Sequence, residues 1–162
     1  MALREDRAEL LRRYVDGPDA VRKAVEGLTD AQLDQPAADD PTNGWTARQI
    51  VHHLADSEMT SAIRLRRLLA EDDPVISSYD ENAFARRLHY DDRPIDASLD
   101  AMAAARATSA QILERLGDDE WSRAGTHDES GRYSVDDWLR IYADHGEDHA
   151  EQIRRAVGGS NS

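Results

Sequence analysis

The chain has 162 residues and no cysteine, and its 33 acidic residues against 20 Lys and Arg give a net charge of −13. The missing thiols exclude a disulfide-stabilised fold and any cysteine ligand to a metal, and the negative charge disfavours binding to nucleic acid or to an anionic membrane. No cationic leader with an apolar run opens the sequence, and no segment reaches the length of a membrane span, so we expect a soluble cytoplasmic protein.

Helical periodicity begins at the N-terminus. The pattern predicts a first amphipathic helix from Leu3 to Leu28, with a kink at Gly17-Pro18. Thr29 and Gln32 have the spacing of a capping box and predict a single helical turn. The segment from Gln35 to Gly44 contains two prolines and a glycine, which indicates a loop.

A second long helix is predicted to begin at Thr46, which forms a capping box with Gln49. If Ile50 points inward, helical-wheel arithmetic places His53 about 60° from the inward direction and His52 about 160° from it. We therefore expect His53 to face the core and His52 to face solvent.

The remaining pattern predicts three more helices. A short one covers Asp80 to Leu88, and a third long one runs from about Asp96 to Leu116, closed by a glycine. The segment from Gly125 to Arg132 is predicted to be a loop. The last long helix runs from Ser134 to Val157, with Ser134 as its N-cap.

No segment alternates convincingly with period two. The prediction is therefore an all-α fold, a four-helix bundle with short extra helices in the connections. We expect one domain over residues 1–157 and a flexible tail over 158–162. A homodimer that pairs through the segment from Asp80 to Leu88 is a further hypothesis.

His145 and His149 lie four residues apart on the last helix, so they differ by about 40° and about 6 Å along the axis and can converge on one point. They share an inward stripe with Trp138, Tyr142, Gln152 and Ala156. Inward imidazoles need hydrogen bonds or a cation. With His53 as a third donor, we predict a site for a divalent transition metal, zinc first, with nickel, manganese or iron as alternatives.

Two segments carry a resemblance to a known family. Residues 45–58, W-T-A-R-Q-I-V-H-H-L-A-D-S-E, and residues 145–153, H-G-E-D-H-A-E-Q-I, resemble the DinB superfamily and, within it, the YfiT-like bacillithiol S-transferase branch. The resemblance implies a four-helix bundle whose metal is held by His53, His145 and His149. It also implies a small-molecule thiol, such as bacillithiol or mycothiol, and an electrophile as co-substrates.

The sequence departs from the family pattern at Glu58, where relatives often have histidine, and at Ala150-Glu151, where many have Arg-Gly. Neither departure touches the three predicted ligands, but both bear on which thiol is used. Glu58, about 80° from Ile50, is the candidate catalytic base for a hydrolytic reaction. Its alternative interpretations are an ordinary boundary carboxylate or a partner that orients His53.

Three functions stay open at this point. The chain could be a metal-dependent thiol S-transferase, because three imidazoles leave a coordination position in which a thiol is deprotonated. It could instead be a metal-dependent hydrolase that uses Glu58. It could also be a non-catalytic bundle that binds a metal or a ligand.

Other polar side chains have simpler interpretations. His52, His89 and His127 are expected at the surface, with the loop of His127 near the site entrance. The cluster of Arg64, Arg66 and Arg67 is predicted to be a solvated face with its aliphatic stems packed down. Binding of a carboxylate of the thiol is its alternative role.

Overall fold

The computed structural model describes residues 2–37 and 44–158. Within these ranges the chain forms the helices α1 (Ala2–Val25), α2 (Asp30–Leu33), α3 (Ala47–Ala70), α4 (Glu81–Arg87), α5 (Asp96–Leu113), α6 (Val135–Ala143) and α7 (His145–Gly158). It also forms the strands β1 (Val75–Ile76), β2 (Ala124–His127) and β3 (Gly131–Ser134). Part of the predicted loop, residues 38–43, and residues 159–162 of the predicted tail lie outside the described residues.

The architecture is a four-helix bundle, as predicted. Helices α1, α3 and α5 are three of its members, and α6 followed by α7 supplies the fourth. Helix α1 packs on α5, α6 and α7, while α3 packs on α5 and α7. The predicted kink in α1 is not a break, because the helix continues through Pro18.

The predicted capping boxes are confirmed. Thr46 and Gln49 exchange side-chain and backbone hydrogen bonds at the start of α3. Thr29 and Gln32 do the same for α2. Ser134 and Asp137 form a third box that starts α6. These bonds satisfy backbone N–H groups that have no partner inside the helix, so they fix where each helix begins.

The last helix differs from the prediction because it is interrupted at Asp144. Helix α6 ends at Ala143 and α7 begins at His145. In a continuous helix the carbonyl of Tyr142 accepts a bond from the residue four positions later. Here Tyr142 O accepts a bond of 2.8 Å from Arg106 Nη2, at the point where the helix breaks.

A small sheet occupies the segment that we predicted to be a loop, residues 125–132. Strands β2 and β3 form an antiparallel hairpin, and β1 pairs in parallel with β2 through Val75 and Thr126. The prediction of a loop here was wrong because strands of two to four residues are too short to show an alternating pattern. Gly131, at φ +80°, has the left-handed backbone that the hairpin turn requires.

The buried side chains form two apolar clusters separated by a polar layer. One cluster surrounds Trp138 and includes Tyr14 and Leu65. The other surrounds Ile50 and Leu54. Between them along the bundle lie the polar layer residues, which are Gly17 of α1, Glu58 of α3, Arg106 of α5, and His145 and Gly146 of α7.

Two glycines let α1 and α7 approach closely in the polar layer. A Cβ atom added to Gly146 would lie 2.7 Å from the Cα of Gly17. A Cβ atom added to Gly17 would lie 2.5 Å from Arg106 Nη1. Both distances are shorter than real Cβ contacts, so the helix crossing and the position of Arg106 depend on the absence of these side chains.

None of the described helices is both long and apolar enough to cross a membrane.

We predict that Gly146→Ala lowers the free energy of unfolding by about 1–3 kcal/mol, because the new methyl group forces α7 away from α1. Gly117→Ala is the matched control, since its added Cβ would make an ordinary contact 3.6 Å from Glu120 Oε2. Urea unfolding followed by circular dichroism measures both. Equal stability of the Gly146→Ala protein and the wild type would show that the contact between α1 and α7 accommodates a methyl group.

Candidate metal centre

His53 lies on the second turn of α3, where the capping box at Thr46 fixes the helix start. Its side chain is buried, and its ring packs edge-on against Trp45 with ring centroids 4.8 Å apart. The predicted inward direction of His53 agrees with this burial. The tryptophan covers one side of the imidazole and limits its rotation.

His145 and His149 come from the first two turns of α7, directly after the break in the last helix. Their Nε2 atoms lie 3.3 Å apart. The ring of His53 faces both, with centroids 5.0 Å from His149 and 6.2 Å from His145. One ring nitrogen from each histidine lies within 4.8 Å of the other two. The structure thus brings together the three residues that the spacing and the wheel selected.

Burial keeps two of the imidazoles neutral. Burial, with a contribution from nearby His149, lowers the pKa of His53 to about 4. Burial also lowers the pKa of His145 to about 3, with contributions from His149, His53 and Arg106. At neutral pH both rings are therefore uncharged, and each has a nitrogen lone pair available for a cation.

Gln152 orients the third ring. His149 Nδ1 lies 2.7 Å from Gln152 Oε1. Because an amide oxygen only accepts hydrogen bonds, this contact places the ring proton on Nδ1 and leaves the lone pair on Nε2, beside His145. A bond of this kind from the outer ring nitrogen is typical of metal-binding histidines.

The donor set fits a divalent transition metal. The Nδ1 atoms of His53 and His145 are buried and have no hydrogen-bond partner within the described residues. The Nε2 atoms of His145 and His149, 3.3 Å apart, are close enough for both to bind one cation. No described carboxylate belongs to the cluster, so the protein offers three nitrogen ligands. Three protein ligands are typical of catalytic rather than structural zinc sites.

The helical wheel placed Glu58 near the boundary of the inward face, but the structure places it in the interior. Its side chain is fully buried, and Oε1 accepts a bond of 2.7 Å from Arg106 Nη2. Arg106 also donates to the backbone oxygens of Tyr14 and Tyr142, and its guanidinium lies over the Tyr14 ring. The wheel missed this because Arg106 fills the centre of the bundle and draws the carboxylate inward.

His52 was predicted to face solvent, and that prediction was wrong. The side chain is fully buried, with Nδ1 2.7 Å from Ser98 Oγ and Nε2 2.9 Å from the Arg93 oxygen. The connection between α4 and α5 covers this face of α3, and a wheel of one helix cannot show what packs on its outer side. Both ring nitrogens are occupied, so His52 is not a fourth ligand.

The other histidines are separate from the centre. His89 is exposed, as predicted. His127 is half-buried in β2, with its ring 5.6 Å from Tyr133. Each has acidic neighbours at metal-binding distance, but those carboxylates are exposed, and exposed clusters of this kind are common without a metal.

Sequence reasoning missed the roles of Gln152 and Arg106. Gln152 was placed on the inward stripe but not linked to His149, although a spacing of three residues puts the two side chains on the same face. Arg106 interrupts the apolar face of α5, seven residues after Leu99 and seven before Leu113. A charged residue at that position indicates a buried partner elsewhere in the chain.

Known proteins resemble this chain in sequence and in fold. Residues 13–153 match the DinB superfamily. A protein of Oceanobacillus iheyensis is 36% identical over 90% of this chain and 82% of its own length. YfiT of Bacillus subtilis is 34% identical over 84% of this chain and 75% of its own length. Both carry the name "putative metal-dependent hydrolase".

Two solved structures resemble the present one. The structure of YfiT from Bacillus subtilis, a probable metal-dependent hydrolase with an unusual four-helix bundle topology, aligns with a TM-score of 0.85 at 31% identity. The alignment covers 96% of this chain and 86% of that chain. The mycothiol-dependent maleylpyruvate isomerase aligns with a TM-score of 0.70 at 14% identity, over 91% of this chain and 60% of that chain.

We predict that His53→Ala, His145→Ala and His149→Ala each lower metal affinity at least a hundredfold, because each removes one of three ligands. Gln152→Leu should lower the affinity about 10–100-fold, the usual effect of losing a bond to a ligating imidazole. Elemental analysis and calorimetric titration of untagged protein measure these changes. His89→Asn is the control and should bind like the wild type. A wild-type protein that cannot be loaded with zinc, nickel, manganese or iron would contradict the site.

We predict that Glu58→Gln lowers the free energy of unfolding by about 3–5 kcal/mol, because it leaves the Arg106 guanidinium buried without its counter-charge. The double variant Glu58→Leu/Arg106→Leu should recover part of this loss, since it removes both charges. Glu9→Gln, which breaks the exposed ion pair with Arg12, serves as the control and should change stability little. Denaturant titration measures the free energy of unfolding of all three variants. A small loss of stability in Glu58→Gln would show that Arg106 does not need a charged partner for the fold to be stable.

Proposed function

This chain belongs to the DinB superfamily, and we propose that it is a metal-dependent enzyme that conjugates a low-molecular-weight thiol to an electrophile. The observation that supports this most directly is the set of three imidazoles, two of them kept neutral by burial, which offers an ion three protein ligands within the described residues. An ion held this way keeps its full positive charge and a position for an anionic guest. A thiolate is such a guest.

Each residue of the centre has a defined part in the proposed reaction. His53, His145 and His149 hold the cation, and Gln152 and Trp45 fix the rings of His149 and His53. The bound cation supplies the charge that keeps a thiol deprotonated at neutral pH. The thiol proton passes to solvent, the sulfur forms a bond to the electrophilic carbon, and the leaving group departs with its electron pair.

The thiol class is supported by chemistry and by fold. A protein of the same fold, the maleylpyruvate isomerase, depends on the thiol mycothiol.

The identity of the metal is a separate question. The present centre has imidazole donors, which suit zinc, nickel and iron and do not discriminate strongly among these metals. Zinc stays the first expectation for the resident metal, with nickel, manganese or iron as alternatives.

Metal-dependent hydrolysis is the second candidate, because relatives at 34–36% identity carry that name. Hydrolysis benefits from a general base beside the metal, and Glu58 was the candidate for that part. The guanidinium of Arg106 already occupies one carboxylate oxygen, and the side chain has no access to solvent. This arrangement favours a positioning role for Glu58 and therefore favours thiol transfer over hydrolysis.

We predict that the zinc-loaded protein accelerates conjugation of a thiol panel to monochlorobimane, and that His145→Ala abolishes this activity while His89→Asn retains it. The panel contains bacillithiol, mycothiol, glutathione, cysteine and coenzyme A, and fluorescence of the conjugate reports the rate.

The same preparations are assayed with nitrophenyl esters to separate the two enzyme classes. Metal-dependent ester turnover without conjugation would support the hydrolase instead. A loaded protein that binds thiols but accelerates neither reaction would indicate a non-catalytic binding bundle.

A further inference from the structure

Arg64 carries a charge that no described carboxylate neutralises. Its Nη1 donates to the Tyr142 hydroxyl at 3.1 Å, and its Nη2 donates to the backbone oxygen of Ser77 at 2.6 Å. Both partners are uncharged. Arg67, three residues further along α3, is by contrast paired with Glu71 at 3.0 Å. Arg64 therefore keeps a full positive charge, in a protein with a large excess of acidic residues.

The guanidinium lies beside the candidate metal centre. The ring of Tyr142, which accepts the bond from Arg64, stands edge-on to the ring of His145 with centroids 5.6 Å apart. Arg64 and His53 share α3, about 16 Å apart along the axis, and side chains on a helix lean back toward its N-terminus. One tyrosine side chain thus separates the guanidinium from the imidazoles.

The Tyr142 hydroxyl accepts a bond from Arg64, and the hydroxyls of Tyr79 and Tyr133 are buried with no hydrogen-bond partner within the described residues. Burial raises the pKa of Tyr79 to about 12 and raises the pKa values of Tyr133 and Tyr142 as well. Arg64 opposes the rise in all three, which places its charge within electrostatic range of each hydroxyl. At neutral pH the hydroxyls keep their protons and can donate hydrogen bonds.

No described carboxylate is paired with Arg64. Glu58, which acts on Tyr142, is paired with Arg106, and Glu81, which acts on Tyr79, is exposed to solvent at the start of α4. A guanidinium with neighbouring hydroxyl donors is a site that binds a carboxylate strongly, through charge-assisted hydrogen bonds.

We propose that Arg64 and the hydroxyls of Tyr79, Tyr133 and Tyr142 form an anion subsite that binds a carboxylate of the thiol or of the electrophile. This inference rests on the proposed function, since it assumes that the sulfur lies at the three histidines. The separation between Arg64 and the histidines selects molecules whose carboxylate stands several bonds away from the reacting atom.

The first test measures thiol binding to cobalt-loaded protein through the thiolate-to-cobalt charge-transfer absorbance. The probes are 6-mercaptohexanoate and the uncharged 6-mercaptohexan-1-ol, which have the same length. The wild type should bind the acid more tightly. Arg64→Gln should weaken binding of the acid about tenfold or more, the usual effect of losing a hydrogen bond to a charged group, and should leave the alcohol within about twofold.

The second test asks whether the carboxylate belongs to the electrophile. Conjugation of a neutral thiol to 6-iodohexanoate and to 6-iodohexanamide is compared in the wild type and in Arg64→Gln. A rise in KM for 6-iodohexanoate alone, with kcat for 6-iodohexanamide unchanged, assigns the subsite to the electrophile. A selective effect on the mercapto acid assigns it to the thiol.

Two further variants separate recognition from folding. Arg64→Lys keeps the charge and should retain part of the preference for the acid. Arg67→Gln changes an arginine of the same helix and should behave like the wild type. If Arg64→Gln binds metal normally and leaves both preferences unchanged, the subsite is wrong. If no thiol binds to the loaded wild-type protein, the proposed function itself fails.

Discussion

The bundle is organised around one buried guanidinium. Arg106 lies in the polar layer between two apolar clusters, where an unpaired charge would cost several kcal/mol. It is satisfied by Glu58 of α3 and by the backbone oxygens of Tyr14 in α1 and Tyr142 in α6. One side chain from α5 is thereby bonded to the three other members of the bundle, and its acceptors must stand in a fixed arrangement.

That arrangement has a direct consequence for the histidines. The oxygen of Tyr142 bonds to Arg106 just where the last helix is interrupted, and α7 restarts at His145. Gly17 and Gly146 allow the restarted helix to lie against α1. Replacing a buried ion pair by apolar residues is often neutral for stability, so the value of this pair is better explained by position than by energy. It sets where α7 begins and hence where two of the three imidazoles point.

Local rules predicted much of this from sequence, and long-range contacts account for what they missed. The capping box at Thr46 fixed the phase of α3, and the four-residue spacing of His145 and His149 fixed their common face, so the convergence of the cluster followed from helix geometry. Burial of His52 depends on the α4–α5 connection, and the burial of Glu58 depends on Arg106, 48 residues away. A helical wheel of one helix shows neither contact, and the strands of the hairpin are too short to show a period-two pattern in the sequence.

The charge distribution explains how a strongly acidic chain can accommodate an anionic guest in the proposed reaction. The net charge of −13 repels anions at a distance, but at physiological salt such repulsion is screened beyond about 8 Å. Inside that range only nearby groups matter. His53 and His145 are uncharged at neutral pH, Glu58 is paired with Arg106, and no described carboxylate is paired with Arg64. Arg64 is therefore a cation near the centre that attracts an anionic guest once the guest is inside the screening distance, even though the net charge of the protein repels it.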